Sequence, residues 1–286
     1  VRILIDNEAT LNNIRDDLYE IASMANEEDR ILVYFAGHGE TKSLKSGVEK
    51  GYLIPTDGNV DKIFNTCLPM TEIKDIANET VAKHVLFLMD ACFSGLAAVG
   101  TRGLDAKTTP DYIEKITKIK SRQIITAGGK TEKVIEKPEW GHSAFTMNLL
   151  RGLGDGLADA NEDGYITADE LGDYLSEKVS IDSENQQTPQ SRRLTSHEGE
   201  FIFIVNNMEI TINNNSSVVK QKKANYSDNK KGNEMSENNI ILPDAFGLLI
   251  GFPGIINIPI EYKISDYIKN TFIGIKPGYY PDSMID

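Results

Sequence analysis

Two apolar runs in this chain stop at residues able to do chemistry. In "VLFLMDACFSG" the run ends at Asp90, and Cys92 follows among small residues; in "ILVYFAGHGE" His38 stands between Gly37 and Gly39. A thiol is a weak nucleophile until a base takes its proton, and an imidazole is the usual base. A cysteine meant only for packing belongs inside the run, among Val85, Leu86, Phe87 and Leu88. Glycines beside His38 let the backbone turn sharply and come close to a substrate. The N–H groups of Gly39 and Cys92 are expected to point at one spot and hold a tetrahedral oxyanion. The pair therefore reads as a catalytic dyad for acyl transfer, with Cys92 the nucleophile and His38 the base. The other histidines lack this setting: His84 precedes its strand, His142 lies before a helix and His197 sits in a late polar stretch. Cys67, in "FNTCLPM", reads as a structural thiol.

The elements that must carry this pair are legible from hydropathy. "VRILI", "RILVYFA", "YLIP", "HVLFLMD", "RQIITAG" and "FIFIV" read as strands. Between them, Thr10 caps a helix with the apolar face Leu11, Ile14, Leu18, Ile21 and Ala22. Further helices are expected over 71–80, 110–120, 144–153 and 168–179. Continuous apolar strands alternating with helices predict an α/β fold, a mostly parallel sheet flanked by helices on both faces. In such sheets the chemistry gathers outside the carboxyl ends of the strands, where His38 and Cys92 both fall.

Composition narrows the class. The chain has 286 residues, 40% hydrophobic and 26% charged, an ordinary globular balance. A net charge of −13 argues against binding to nucleic acid or anionic membranes. Two cysteines are too few for a disulfide framework, which favours a cytoplasmic setting. The first residue is Val1, already inside an apolar run, so targeting is not legible and an N-terminal strand and helix are expected to be missing. Residues 1–205 read as the main domain. Residues 206–239 hold ten asparagines and read as a polar linker, followed by a C-terminal extension at 240–286. Its apolar stretch 246–260 is too short for a transmembrane helix and is expected to pack on the domain or a partner rather than on a membrane.

"YFAGHGE" and "DACFSG", with His38 and Cys92 54 positions apart, resemble the caspase-like cysteine peptidases, and metacaspases and their prokaryotic relatives more than animal caspases. The caspase signature is a Gln-Ala-Cys motif with a histidine about 50 residues upstream; here Asp90 takes the first position. "GYLIPTDG", "RQIITAGG", "GHSAFTMNLLRGL" and "QQTPQ" extend the similarity to about residue 205. The resemblance implies a caspase-type sheet and peptide-bond hydrolysis through a thioester. It also implies that Asp90 lines the pocket for the residue on the acyl side of the cut. A carboxylate there would select Arg or Lys, so the expected partners are proteins or peptides basic at the cut site. Ser143, in "GHSAFT", is expected on the facing loop. The family's second pocket acid belongs to a first strand that would precede Val1, leaving an incomplete pocket and an exposed sheet edge. Basic residues after Cys92 predict self-cleavage near Arg102 or Lys107.

"DANEDGYITADE", residues 159–170, has the spacing of a calcium-binding EF-hand loop. Asp159, Asn161, Asp163, the Tyr165 carbonyl, Thr167 and Glu170 take the ligand positions, and Gly164 the sharp turn. No second loop pairs with it. The calcium site common in metacaspases would need acids at Met70–Thr71 and is expected to be lost, so calcium here is structural and no cofactor serves catalysis. The alternative reading is a catalytically silent calcium-binding module on the same scaffold.

Overall fold

In the computed structural model, residues 1–92, 110–129, 132–206, 239–241 and 245–251 are described. The first half lays down β1 (Arg2–Ile5), α1 (Leu11–Met24), β2 (Arg30–Ala36), β3 (His38–Ser43), β4 (Glu49–Ile54), α2 (Ile63–Thr66), β5 (Leu68–Pro69), α3 (Met70–Glu79) and β6 (His84–Cys92). Then come α4 (Pro110–Lys118), β7 (Ser121–Gly128), β8 (Glu136–Lys137), β9 (His142–Ser143), α5 (Ala144–Gly154), β10 (Tyr165–Thr167) and α6 (Ala168–Asp182). The last elements are β11 (Gln190–Arg193), β12 (Ile202–Asn206), β13 (Asn239–Ile241) and β14 (Ala245–Gly251).

The main sheet runs β1-β14-β2-β6-β7-β11, parallel except for β11 at one edge. This is the expected α/β architecture. Side chains alternate across it with the period of two that a pleat imposes. Leu32, Tyr34, Ala36, Leu86, Leu88, Ile125 and Ala127 pack with α5 and α6. On the opposite face, Ile31, Val33, Phe35, Val85, Phe87, Met89 and Ile124 pack with α1 and α3. Thr10 caps α1 by accepting from Asn13 N at 3.3 Å, and Leu11, Ile14, Leu18 and Ile21 form its buried stripe. Arg122 is fully buried on β7. Its guanidinium donates to the carbonyls of Ala77, Thr80, Ala82 and Lys83, clipping the turn that feeds β6.

Four expectations are corrected. "FIFIV" does not join the main sheet; β12 pairs with β10 and β13 in a separate three-stranded sheet. Cys92 does not follow β6 but ends it, after a register irregularity between Met89 and Cys92. His38 is not in a turn: only Gly37 separates β2 from β3, which His38 opens, so the chain swings at once into the small sheet β3-β4-β5. Finally, the sheet has no exposed edge beside β2. Residues 245–251 fill that position as β14, parallel to both neighbours. The two ends of the stretch 206–239 also meet, Asn206 pairing with Asn239 across β12 and β13. Residues 207–238 and 252–260, along with Arg102 and Lys107, lie outside the described residues.

Candidate active site

Register brings the two candidate catalytic residues to the same end of the sheet. Ala36 of β2 pairs with Asp90 of β6, and Gly37 N donates to the Asp90 carbonyl at 3.2 Å. His38 and Cys92 are each two residues past that shared rung. His38 is exposed and Gly39 half-buried, while the Cys92 thiol is partly covered. The imidazole and the thiol make no hydrogen bond to each other among the described residues.

Cys92 leans toward β7, where it pairs with Gly128. A Cβ on Gly128 would stand 2.8 Å from Cys92 Sγ and 2.7 Å from Glu132 Oε2, so both groups crowd one point that only glycine leaves open. Glu132 Oε2 also accepts from Gly129 N at 2.8 Å and Thr188 N at 3.0 Å, joining the loop after β7 to the loop before β11. Burial, then the charges of Asp90 and Glu132, push the Cys92 thiol up to about 12. At rest it is a thiol, not a thiolate. Gln187 completes this wall: its side chain donates to Ala127 O at 2.9 Å and accepts from Ile135 N at 2.8 Å.

Asp90 and Ser143 are in contact, although Ser143 ends the short strand β9 and caps α5 rather than standing on a loop. The Asp90 carboxylate is 1% exposed, and its Oδ2 accepts from Ser143 Oγ and Thr146 Oγ1, both at 2.5 Å. Tyr34 OH lies 2.6 Å from Thr146 Oγ1; with Thr146 donating to the carboxylate, Tyr34 donates to Thr146. Ser143 also caps α5 by accepting from Thr146 N at 2.9 Å. Among the described residues, Asp90 Oδ1 has no hydrogen-bond partner. Burial raises the Asp90 carboxyl to about 6, against the two hydroxyl donors that hold it down. Glu136 faces Ser143 across β8 and β9, and its carboxyl is raised by desolvation and then by Asp90. The cleft end of the sheet is thus acidic.

Glu132, Glu136, Gly128, Gln187, Thr146 and Tyr34 are residues that sequence reasoning missed. Gln187 and Thr146 lie inside motifs already quoted, "QQTPQ" and "GHSAFT", and Thr146 is three residues after a Ser able to cap a helix. Glu132 and Glu136 carry no such local signal.

The predicted calcium ligands stay together in one loop between α5 and α6. Asp159 Oδ1 and Oδ2 accept from Asp163 N (3.1 Å) and Gly164 N (2.9 Å), and Asn161 Oδ1 from Asp163 N (2.9 Å). Asp163 Oδ1 accepts from Tyr165 N at 2.9 Å. Gly164 turns at φ +85°, as the loop requires. Glu170 forms a capping box with Thr167, while Asn161 Nδ2 donates to its Oε1 at 3.0 Å. The donor set is all oxygen and suits a hard cation. Among the described residues, however, no group of three or more His, Cys, Asp or Glu side chains is arranged to hold a metal. No helix of the described residues is long and apolar enough to cross a membrane.

A protein of Geobacter sulfurreducens of known crystal structure is 17% identical; the match covers 66% of this chain and 75% of that one, with a TM-score of 0.43. No curated protein matches. The family model of the caspase domain, peptidase family C14, matches residues 1–198: this chain belongs to the caspase domain family of cysteine peptidases.

Proposed function

We propose that the protein is a cysteine endopeptidase that cuts after Arg or Lys. One observation carries the reading: the Ala36–Asp90 rung that closes the pairing of the parallel strands β2 and β6, with His38 and Cys92 each two residues beyond it in sequence. Because burial and two carboxylates keep Cys92 protonated, attack needs a base at hand. His38 takes the thiol proton as Sγ bonds to the scissile carbonyl carbon. The backbone N–H groups of Gly39 and Cys92 stabilise the oxyanion. Collapse breaks the C–N bond, His38 protonates the departing amine, and a thioester remains on Cys92. Water, deprotonated by His38, then releases the acid and frees the thiol.

Specificity for a cation follows from Asp90, Glu132 and Glu136 at one end of the sheet. Ser143 and Thr146 hold Asp90 Oδ2, and among the described residues Oδ1 has no partner, so a guanidinium or ammonium reaching it would meet an unpaired acceptor. Processing near Arg102 or Lys107 belongs to the same proposal. So does a structural calcium ion at 159–170, which would tie the start of α6 to the loop that leaves α5.

A silent module is the second reading, favoured by the lack of a hydrogen bond between His38 and Cys92 among the described residues. Profiling a peptide library with the wild type and Cys92→Ala decides between them. Cleavage after Arg or Lys by the wild type alone supports the peptidase; no cleavage by either supports the module.

A further inference from the structure

Among the described residues up to 206, the main sheet is not continuous. Among all those described, β1 pairs only with β14, and β14 in turn pairs with β2, so the β1–α1–β2 unit straddles a gap one strand wide. With strands about 4.8 Å apart, β1 and β2 stand about 10 Å apart and cannot bond each other. Residues 245–251, "AFGLLIG", fill that gap with two parallel ladders. Arg2 to Ile5 pair with Leu248 to Gly251, and Ala245 to Gly251 pair with Arg30 to Ala36. The stretch is wholly apolar, as befits a strand covered on both sides by neighbours. Helix α1 lies against both β1 and β14.

This placement ties a distant segment to the candidate active site. The last rung of β14 is Gly251–Ala36, and Ala36 is also the last residue of β2 to pair with β6 before His38. An empty gap would leave β2 with one ladder instead of two and cut β1 off from the sheet. The peptide groups of two strands would lose their partners, and a buried peptide group left unpaired is destabilising.

We propose that the gap between β1 and β2 is a strand-acceptor site, that residues 245–251 of the same chain are its occupant, and that their insertion holds β2, and so His38, in register with Cys92. The extension beyond residue 240 is then a working part of the catalytic sheet. Its withdrawal takes the site apart without touching either catalytic side chain.

Hydrogen exchange followed by mass spectrometry on the full chain tests this without any assay of peptidase activity. In the wild type, the amides of 246–251 should exchange as slowly as those of 31–36; exchange at the free-peptide rate would overturn the proposal. A proline in a central strand removes a ladder donor and clashes with its neighbour. Leu249→Pro should therefore strip protection from 2–5 and 31–36 and leave 121–127 protected. Unchanged protection at 2–5 and 31–36 would sink the idea. Should Leu249→Pro unfold the whole chain, the wild-type exchange of 246–251 still decides the matter. Protection of 246–251 that fades on dilution would assign the strand to a second copy and overturn the same-chain assignment.

Discussion

Cys92 Sγ stands 2.8 Å from where a Cβ on Gly128 would be, so the nucleophile's resting place depends on a missing methyl group on the next strand. Gly128→Ala should drive the thiol or the Glu132 carboxylate aside. The thiol sits on a short side chain, the Glu132 carboxylate is tied by Gly129 N and Thr188 N, and the backbone of Cys92 and Gly128 is held by β-pairing. A shift of about 1 Å at a reacting atom costs about 100-fold in rate, and overpacking costs about 1–3 kcal/mol in stability. Steady-state kinetics on a fluorogenic Arg peptide, beside a thermal melt, checks both. Unchanged kcat in Gly128→Ala would mean the thiol reacts from another position.

Glu132 should govern the ionisation of Cys92. Its carboxylate opposes the thiolate, though less than burial and Asp90 do. In Glu132→Gln the amide oxygen still accepts from Gly129 N and Thr188 N, while the charge is gone. The Cys92 pKa should fall, without reaching that of a free thiol, and alkylation by iodoacetamide at a fixed pH near 8 should speed up. Peptide mass spectrometry reads the two cysteines separately, with buried Cys67 as the internal control. Glu132→Ala should instead loosen the two loops and raise KM. An alkylation profile in Glu132→Gln identical to the wild type would remove Glu132 from the thiol's surroundings.

Asp90 predicts a pH dependence of definite sign. Burial raises its carboxyl from the ordinary 3.8 to about 6, so the folded protein holds this proton more tightly than the unfolded chain does. The protonated form favours folding, and that contribution is lost as pH rises from 3.8 to about 6. The difference corresponds to about 3 kcal/mol. Urea melts should lose stability across this window in the wild type more steeply than in Asp90→Asn. A cationic ligand reverses the balance by favouring the carboxylate, so binding of an arginine mimic such as agmatine should tighten as pH passes about 6. Agmatine affinity flat between pH 5 and 7 would count against Asp90 as the cation's partner.

The parts legible in the sequence are those set by local rules. The Thr10 cap, the α1 stripe and the apolar runs that became β2, β6 and β7 needed only propensity and period. His38 and Cys92 stood out because each lies at the end of an apolar run, beside small residues, which is a local feature as well. What was missed depends on contacts between distant segments. Glu132 meets Thr188 across 56 positions, and Thr146 meets Asp90 across 56. Neither pairing leaves a mark on its own neighbourhood. The apolar run at 245–251 was visible, but apolarity alone does not say which gap a strand fills; only the two ladders to β1 and β2 do. The EF-hand spacing was equally visible, but it fixes where oxygens lie along the chain rather than whether a cation binds them.

That last point yields a prediction with two independent variants. If calcium binds at 159–170, it should raise the melting temperature of the full chain, because a ligand held only by the folded form stabilises it by about 2.7 kcal/mol at 100 times its Kd. Asp159→Ala removes a carboxylate that accepts from Gly164 N and Asp163 N, so it weakens both the loop and any site within it. Glu170→Gln is the cleaner change. Its amide oxygen still accepts from Thr167 N, keeping the cap of α6, but the charge needed at the twelfth position is gone. The expected result is a calcium-dependent shift in the wild type, none in Glu170→Gln, and equal melting temperatures for the two in chelator. Calorimetry should show the same difference as binding heat. A wild type indifferent to calcium by both measures would leave the acids in local roles, Glu170 capping α6 and Asp159 and Asp163 holding the backbone N–H groups of the turn.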